Sequence, residues 1–176
     1  TSAIEQGLTE QGQPLLGGDV EFSLIHREAT APELAYIKSK GTTSRVATLR
    51  AMATANAQST LVEIKAIDAA YPLFGQMSLK QPTNISAATA IDAGVHGVVV
   101  DELLLGRLNL KVGDTLKIGT NALKVTGVIA AEPDRISDGI VLGPRLMMTY
   151  EALQSTGLIQ PGSLITWRYR VKLKEG

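Results

Sequence analysis

The sequence predicts an α+β fold, a mixed sheet with flanking helices, and three observations carry that assignment. The first is the alternation over residues 164–174, LITWRYRVKLK. Ile165, Trp167, Tyr169, Val171 and Leu173 fall on one face, and Thr166, Arg168, Arg170, Lys172 and Lys174 on the other, the period of a half-buried strand. The second is a similar run over residues 19–27, DVEFSLIHR, with Val20, Phe22 and Leu24 inward against Glu21, Ser23 and Arg27 outward. The third is that strand and helix signals intermix without a regular strand–helix–strand rhythm, which favours a mixed sheet over a doubly wound parallel one. Burying the five apolar side chains of the last strand contributes on the order of 7–15 kcal/mol gross, comparable with the net stability of a whole domain. That strand therefore belongs to the core. If the two alternating strands are neighbours, they form a stiff base for the domain.

Composition narrows the function classes. A chain of 176 residues holds one substantial core or two small lobes. Its 44% hydrophobic and 19% charged residues are those of a globular protein, which excludes a disordered chain. Seventeen basic and seventeen acidic side chains cancel, leaving no global field to recruit nucleic acid. No apolar run approaches the roughly 20 residues needed to span a bilayer, and the opening residues show no signal-peptide pattern. The absence of cysteine excludes disulfides and zinc–thiolate sites and leaves the compartment open.

The elements follow in order. Residues 1–14 are polar up to the helix breaker Pro14, with Ile4 and Leu8 four apart, the spacing of a helix entering from upstream. After the first strand, Thr30 with Glu33 three residues on forms a capping box, Pro32 sits in the first turn and Gly41 marks the stop, with Leu34 and Ile37 facing the core. Residues 44–54 and 61–67 read as a strand hairpin joined by the polar stretch 56–60. Tyr71 to Gly75 is loop punctuation, and residues 84–92 hold a short Ala-rich helix. Val98 to Val100 is an apolar strand running into Asp101, the N-cap of a helix carrying Leu104, Leu105 and Leu108. Strands at 115–118 and 123–129 form a hairpin turning near Gly119. Residues 132–139, EPDRISDG, make a polar excursion before short apolar pieces at 140–142 and 146–148. Thr149 then caps a short helix ended by Gly157.

Catalytic motifs are missing. No GxGxxG, Walker-type phosphate loop, GxSxG elbow or HExxH occurs. His26 lies on the apolar face of its strand, as an edge residue or as a ligand or base; His96 sits in a glycine-bounded loop with the same two readings. Glu132, Asp134 and Asp138 offer oxygens suited to calcium, but Pro133 and Arg135 interrupt a spacing that lacks the EF-hand glycine and glutamate, which favours a solvated loop. Arg168, Arg170, Lys172 and Lys174 form a basic strand face, either solvated and guarding an edge or approaching anionic headgroups.

The segments LLGGDVEFSLIHRE (residues 15–28), LVEIKAIDAAYPLFG (61–75), GVVVDELLLGRLNLKVGDTLKIG (97–119), GVIAAEPDR (127–135) and the closing ITWRYRVKL resemble an extracytoplasmic domain of bacterial ABC-transporter permeases. The similarity is to the FtsX and MacB-like superfamily, and within it to the YbbP-type branch, over residues 15–173. The resemblance implies an α+β MacB-like periplasmic core with a second small lobe around residues 97–135. It implies a domain inserted between two transmembrane helices at the periplasmic face of the inner membrane. Residues 1–14 would then be a juxtamembrane helical continuation and residues 15–176 the core domain. The partners implied are the rest of the permease, a separate cytoplasmic ATPase subunit, and a periplasmic esterase or a lipid or hydrophobic cargo. No cofactor, metal or catalytic residue is carried over. Tyr71, Leu73 and Phe74 are the candidate partner or cargo surface, since apolar side chains are out of place in a loop; the other reading tucks that loop onto the core. Arg168, Arg170, Lys172 and Lys174 become a candidate membrane-proximal face. The role implied is non-catalytic coupling of ATP-driven helix motion to export or extraction of hydrophobic compounds, lipids or lipoproteins. The alternative is a free-standing periplasmic binding module or an unrecognised hydrolase using Ser, Asp and a histidine.

Overall fold

The computed structural model describes residues 12–14, 19–135 and 142–174. Its strands are β1 (Gly12–Pro14), β2 (Val20–Ile25), β3 (Gly41–Ala55), β4 (Gln58–Ile67), β5 (Ser78–Leu79), β6 (Ile91–Asp92), β7 (Val95–Val100), β8 (Thr115–Ile118), β9 (Asn121–Ala131), β10 (Arg145–Thr149) and β11 (Thr166–Leu173). The helices are α1 (Ala31–Lys40), α2 (Ile85–Ala88), α3 (Glu102–Leu108) and α4 (Tyr150–Ser155). The sheet runs β1-β2-β11-β3-β4-β10-β7-β9-β5, with β4/β10 and β7/β9 parallel and every other pair on this path antiparallel. The mixed sheet expected from the sequence is present.

One pairing off that path changes the architecture. Strand β8 pairs with β9 and also with β3, through Ala53 opposite Ile118 and Thr54 opposite Lys117. The circuit β3-β4-β10-β7-β9-β8 therefore closes on itself, and closure removes the open edges of those strands. Residues 97–135, where the second small lobe was expected, supply most of β7, all of α3 and β8, and β9 to this ring. Fifteen residues long, β3 serves three neighbours: Gly41–Thr48 pairs with β11, Ala53 and Thr54 with β8, and Val46–Ala55 with β4.

The main core lies on one face of the ring strands. Val62, Ile64, Val98, Val100, Ile118 and Leu123 have no exposed surface, and Leu104 and Leu108 of α3 pack among them. At the β3–β4 turn, Asn56 and Ala57 both take left-handed φ values, 51° and 61°, the handedness that matches strand twist in a two-residue hairpin. The connection is thus shorter than the five-residue stretch read from the sequence. Asn56 Nδ2 then donates to the Leu108 and Asn109 carbonyls at 3.0 and 2.9 Å, satisfying the end of α3.

The two alternating segments lie side by side. Leu24 opposes Trp167 and Phe22 opposes Tyr169, and β11 continues into β3 on its other side. Ile165, Trp167, Tyr169 and Val171 are buried, whereas Leu173 at the strand end is exposed. Helix α1 covers this base with a fully buried Ile37, and its capping box is formed as the sequence indicated. Arg27 clasps Glu33 through two bonds of 2.6 and 3.0 Å, and that hydrogen bonding draws the Glu33 carboxyl down to about 2.

Three local expectations need correction. Gly12–Pro14 is a strand antiparallel to β2 instead of part of a helix; the remainder of residues 1–14 lies outside the described residues, as do residues 136–141 with Asp138. His96 belongs to β7 and not to a loop. Asp101 occupies the N-cap of α3 without a side-chain cap bond. Its carboxylate instead accepts the Arg145 backbone N–H at 2.8 Å, because the adjoining end of β10 presents that donor.

Gly119 shows how tightly the β8–β9 turn is fitted. Its φ is +58°, and a Cβ there would stand 2.2 Å from the Thr156 carbonyl oxygen, which also receives the Thr120 N–H at 3.0 Å. Gly119→Ala is expected to lower unfolding free energy by about 2–4 kcal/mol through conformational strain and overpacking, read as a lower urea midpoint with an unchanged slope.

Candidate functional site

Strand alternation that fills the core with apolar side chains also decides what the opposite face carries. Along β4, Val62, Ile64 and Ala66 join the main core while Glu63, Lys65 and Ile67 face the other way. The same register sends Arg145 from β10, Arg168 and Arg170 from β11 and Glu21 from β2 to that second face. A smaller apolar cluster, including Val46, Ile67, Tyr71, Val99, Ile129 and Met147, lies there too.

A chain of ions is sealed into that face. Arg145 Nε lies 3.1 Å from Glu132, Glu132 lies 2.8 Å from Lys65 Nζ, and Lys65 lies 2.7 Å from Asp134. Arg170 continues it, 2.5 Å from Asp134 and 2.8 Å from Glu21. The Lys65 and Glu132 side chains are fully buried and that of Arg145 is 2% exposed. Burial raises the Asp134 carboxyl, but the charge of Lys65, its hydrogen bond, the Tyr71 hydroxyl and Arg170 together outweigh burial and hold it below its ordinary value. The buried charges are paired throughout this chain, which is the condition for tolerating them.

These contacts revise two expectations. The polar excursion after β9 is not a solvated loop at its start: Glu132 and Asp134 turn inward because Lys65, Arg145 and Arg170 meet them from three strands. Nor is the basic face of β11 uniformly exposed. Arg170 is ion-paired, Arg168 is half-buried and donates to Thr48 Oγ1 at 3.0 Å, and only Lys172 and Lys174 of the four are exposed. Lys172 lies over the Phe74 ring at 5.9 Å.

The apolar loop divides in the same way. Tyr71 is buried and donates its hydroxyl to Asp134 at 2.7 Å. Leu73 is half-buried, and Phe74, 38% exposed, is the member of the trio at the surface. His26 is exposed with Nδ1 3.2 Å from the Ser163 carbonyl oxygen, and His96 is half-buried. Among the described residues no histidine is hydrogen-bonded to a serine hydroxyl, and no three histidine or acidic side chains converge to hold a metal. Glu132 and Asp134 direct their oxygens at cations and at Tyr71.

Beside the ion chain, a groove of about 570 Å³ crosses the face from β2 to β10. Its floor includes Thr48, Arg50, Glu63, Arg145 and Arg168. Ile25 on one side and Leu158, Ser163 and Leu164 from the segment before β11 form its walls. Arg50 Nε meets Glu63 at 2.7 Å. Neither the ion chain nor the groove was identified from the sequence. The signal available was Glu63 and Lys65 two apart in an otherwise apolar strand, which puts opposite charges on one face.

Lys65→Met leaves two carboxylates buried beside each other and is expected to cost about 3–5 kcal/mol, measured by urea denaturation at neutral pH. Asp134 binds its proton less tightly in the fold than in the unfolded chain, so its contribution is complete above the unfolded value of about 4. It is lost as pH falls through the lower folded value. Asp134→Asn is accordingly expected to flatten the acid limb of stability against pH.

The family profile of the MacB-like periplasmic core domain matches residues 6–176. The chain is 30% identical over 168 residues to an uncharacterized ABC transporter permease, YbbP, of Escherichia coli K12, covering 95% of this chain and 20% of that protein. It spans about a fifth of that relative's length. In fold it is similar to the extracellular domain of the noncanonic ABC-type transporter YknZ from Gram-positive bacteria, with a TM-score of 0.57 and 12% identity over 84% of this chain and 74% of the other. It is also similar to the periplasmic region of MacB from Actinobacillus actinomycetemcomitans, with a TM-score of 0.53 and 14% identity over 99% and 81% of the two chains. Among the described residues no helix is long and apolar enough to cross a membrane. With its profile matched almost from end to end, the chain belongs to the MacB-like periplasmic core domain family.

Proposed function

We propose that this domain couples ATP-driven motion of the transmembrane helices to work at the periplasmic face of the inner membrane, with ATP hydrolysed on a separate cytoplasmic subunit. The work is export or extraction of hydrophobic compounds, lipids or lipoproteins. The observation that carries the reading is the joint between β2, β11 and the ring. Strand β11 is hydrogen-bonded to β2 on one side and β3 on the other, and Arg170 ties both outer strands to Asp134. A displacement of β2 or β11 therefore moves the ring with it. Lys172 near the end of β11 and Lys174 just beyond it are the cations presented to anionic headgroups, each contributing about 1 kcal/mol close to a charged surface. Phe74 is the exposed apolar contact offered to a partner such as a periplasmic esterase, or to cargo.

The test uses the intact permease with its ATPase. Spin labels at Lys38 and Ser155 inside the domain are expected to keep one separation in nucleotide-free and nucleotide-trapped states, while the distance from either label to a label at the membrane surface changes. A domain that stays fixed to the membrane while its internal distance changes would sink the coupling role.

A further inference from the structure

We infer that the groove across the second face binds a small anionic amphiphile, its phosphate or carboxylate held by Arg168 and Arg50 and its apolar chain lying against Ile25, Leu158 and Leu164. The charges lining the groove are unbalanced. Three guanidinium groups and one carboxylate line the groove. Arg145 is paired with Glu132 and Arg50 with Glu63, and deeper in the face Lys65 and Arg170 have carboxylates of their own. Arg168 differs. It is half-buried, and among the described residues its guanidinium meets the Thr48 hydroxyl and no carboxylate. A partly desolvated cation favours an anion beside it, and a planar guanidinium matches the oxygens of phosphate or carboxylate.

The walls specify the rest of the ligand. Ile25 is 62% and Leu164 78% exposed, large apolar side chains flanking a charged floor. Ile25, Thr166 and Thr48 are successive cross-strand partners on β2, β11 and β3, so the wall and the floor belong to one rigid surface. An inorganic ion would use the floor and leave the walls wet. An uncharged detergent would cover the walls and leave Arg168 without a counter-charge. A molecule with one anionic head and a single apolar chain satisfies both. This assignment deepens the permease reading by naming a cargo class, and it rests on that reading for its place in transport.

The experiment is calorimetric titration of this 176-residue chain with decyl phosphate below its micelle concentration, beside inorganic phosphate and decyl glucoside. Decyl phosphate is expected to bind at least about tenfold more tightly than either comparator, since a few buried methylenes or one charge-assisted contact suffices for that ratio. Arg168→Gln and Arg50→Gln are each expected to weaken it by about tenfold. Arg50, half exposed, gives a second reading should Arg168→Gln disturb folding, and circular dichroism checks both variants. No binding, equal binding of inorganic phosphate or of the glucoside, or unchanged affinity in a folded variant overturns the proposal. Because this titration needs no ATPase, it fails or succeeds separately from the domain-motion experiment on the intact permease.

Discussion

The ammonium group of Lys65, fully buried between Glu132 and Asp134, is the interaction on which the second face depends. A lone buried charge is costly, and its partners come from outside its own strand, so the segment after β9 has to lie across β4 for the cation to be neutralised. Arg145 and Arg170 then have to meet the same two carboxylates from the other side. Five side chains from three strands and one connection thereby fix each other's positions. Such an arrangement is weak as a source of net stability, since apolar replacements of equal volume often do as well. Its contribution is positional. Only one seating of the segment satisfies every charge, and Tyr71 joins that seating through its hydroxyl, which brings the long excursion after β4 into the same arrangement.

Closure of the ring supplies the complementary constraint. Strand β8 is four residues long, yet its bridge to β3 completes the circuit. With the circuit complete, the main core is packed with apolar side chains and needs no charge, while the opposite face carries ions, Tyr71 and the groove. The division follows from the two-residue period of β4, β10 and β11, so a one-residue slip in any of them would exchange core and charge. The ion chain and the main core therefore resist the same error from opposite sides.

Much of the fold was legible because it rests on local patterns. The alternation around Trp167 and Tyr169, the Thr30–Glu33 capping box, the Thr149 cap and the β8–β9 hairpin each depend on neighbours within a few residues, and each formed. The adjacency of β2 and β11, which the two half-buried patterns allowed without requiring, is realised in the sheet. The site was legible only in part. Arg168 and Arg170 were correctly placed on one face, but nothing local distinguishes an arginine that meets Glu21 and Asp134 from one that meets a threonine. Glu132 and Asp134 look like surface residues beside Pro133 because Lys65 is 67 positions from Glu132 and Arg170 is 36 positions from Asp134. The His96 and Asp101 expectations failed through strand pairing: Ile91 of the two-residue β6 pairs with His96 and takes it into a strand, and β10 presents the Arg145 N–H to Asp101.

The position of β11 between β2 and β3 has a mechanical consequence. Ladder bonds run across the strands, so a load applied along β11 shears both ladders and must strain many bonds together. A load applied across the sheet opens them one after another, as a zipper opens. The domain is thus stiff to a pull along one direction and yielding to a peel along another, and a machine that works through it has a preferred axis of force.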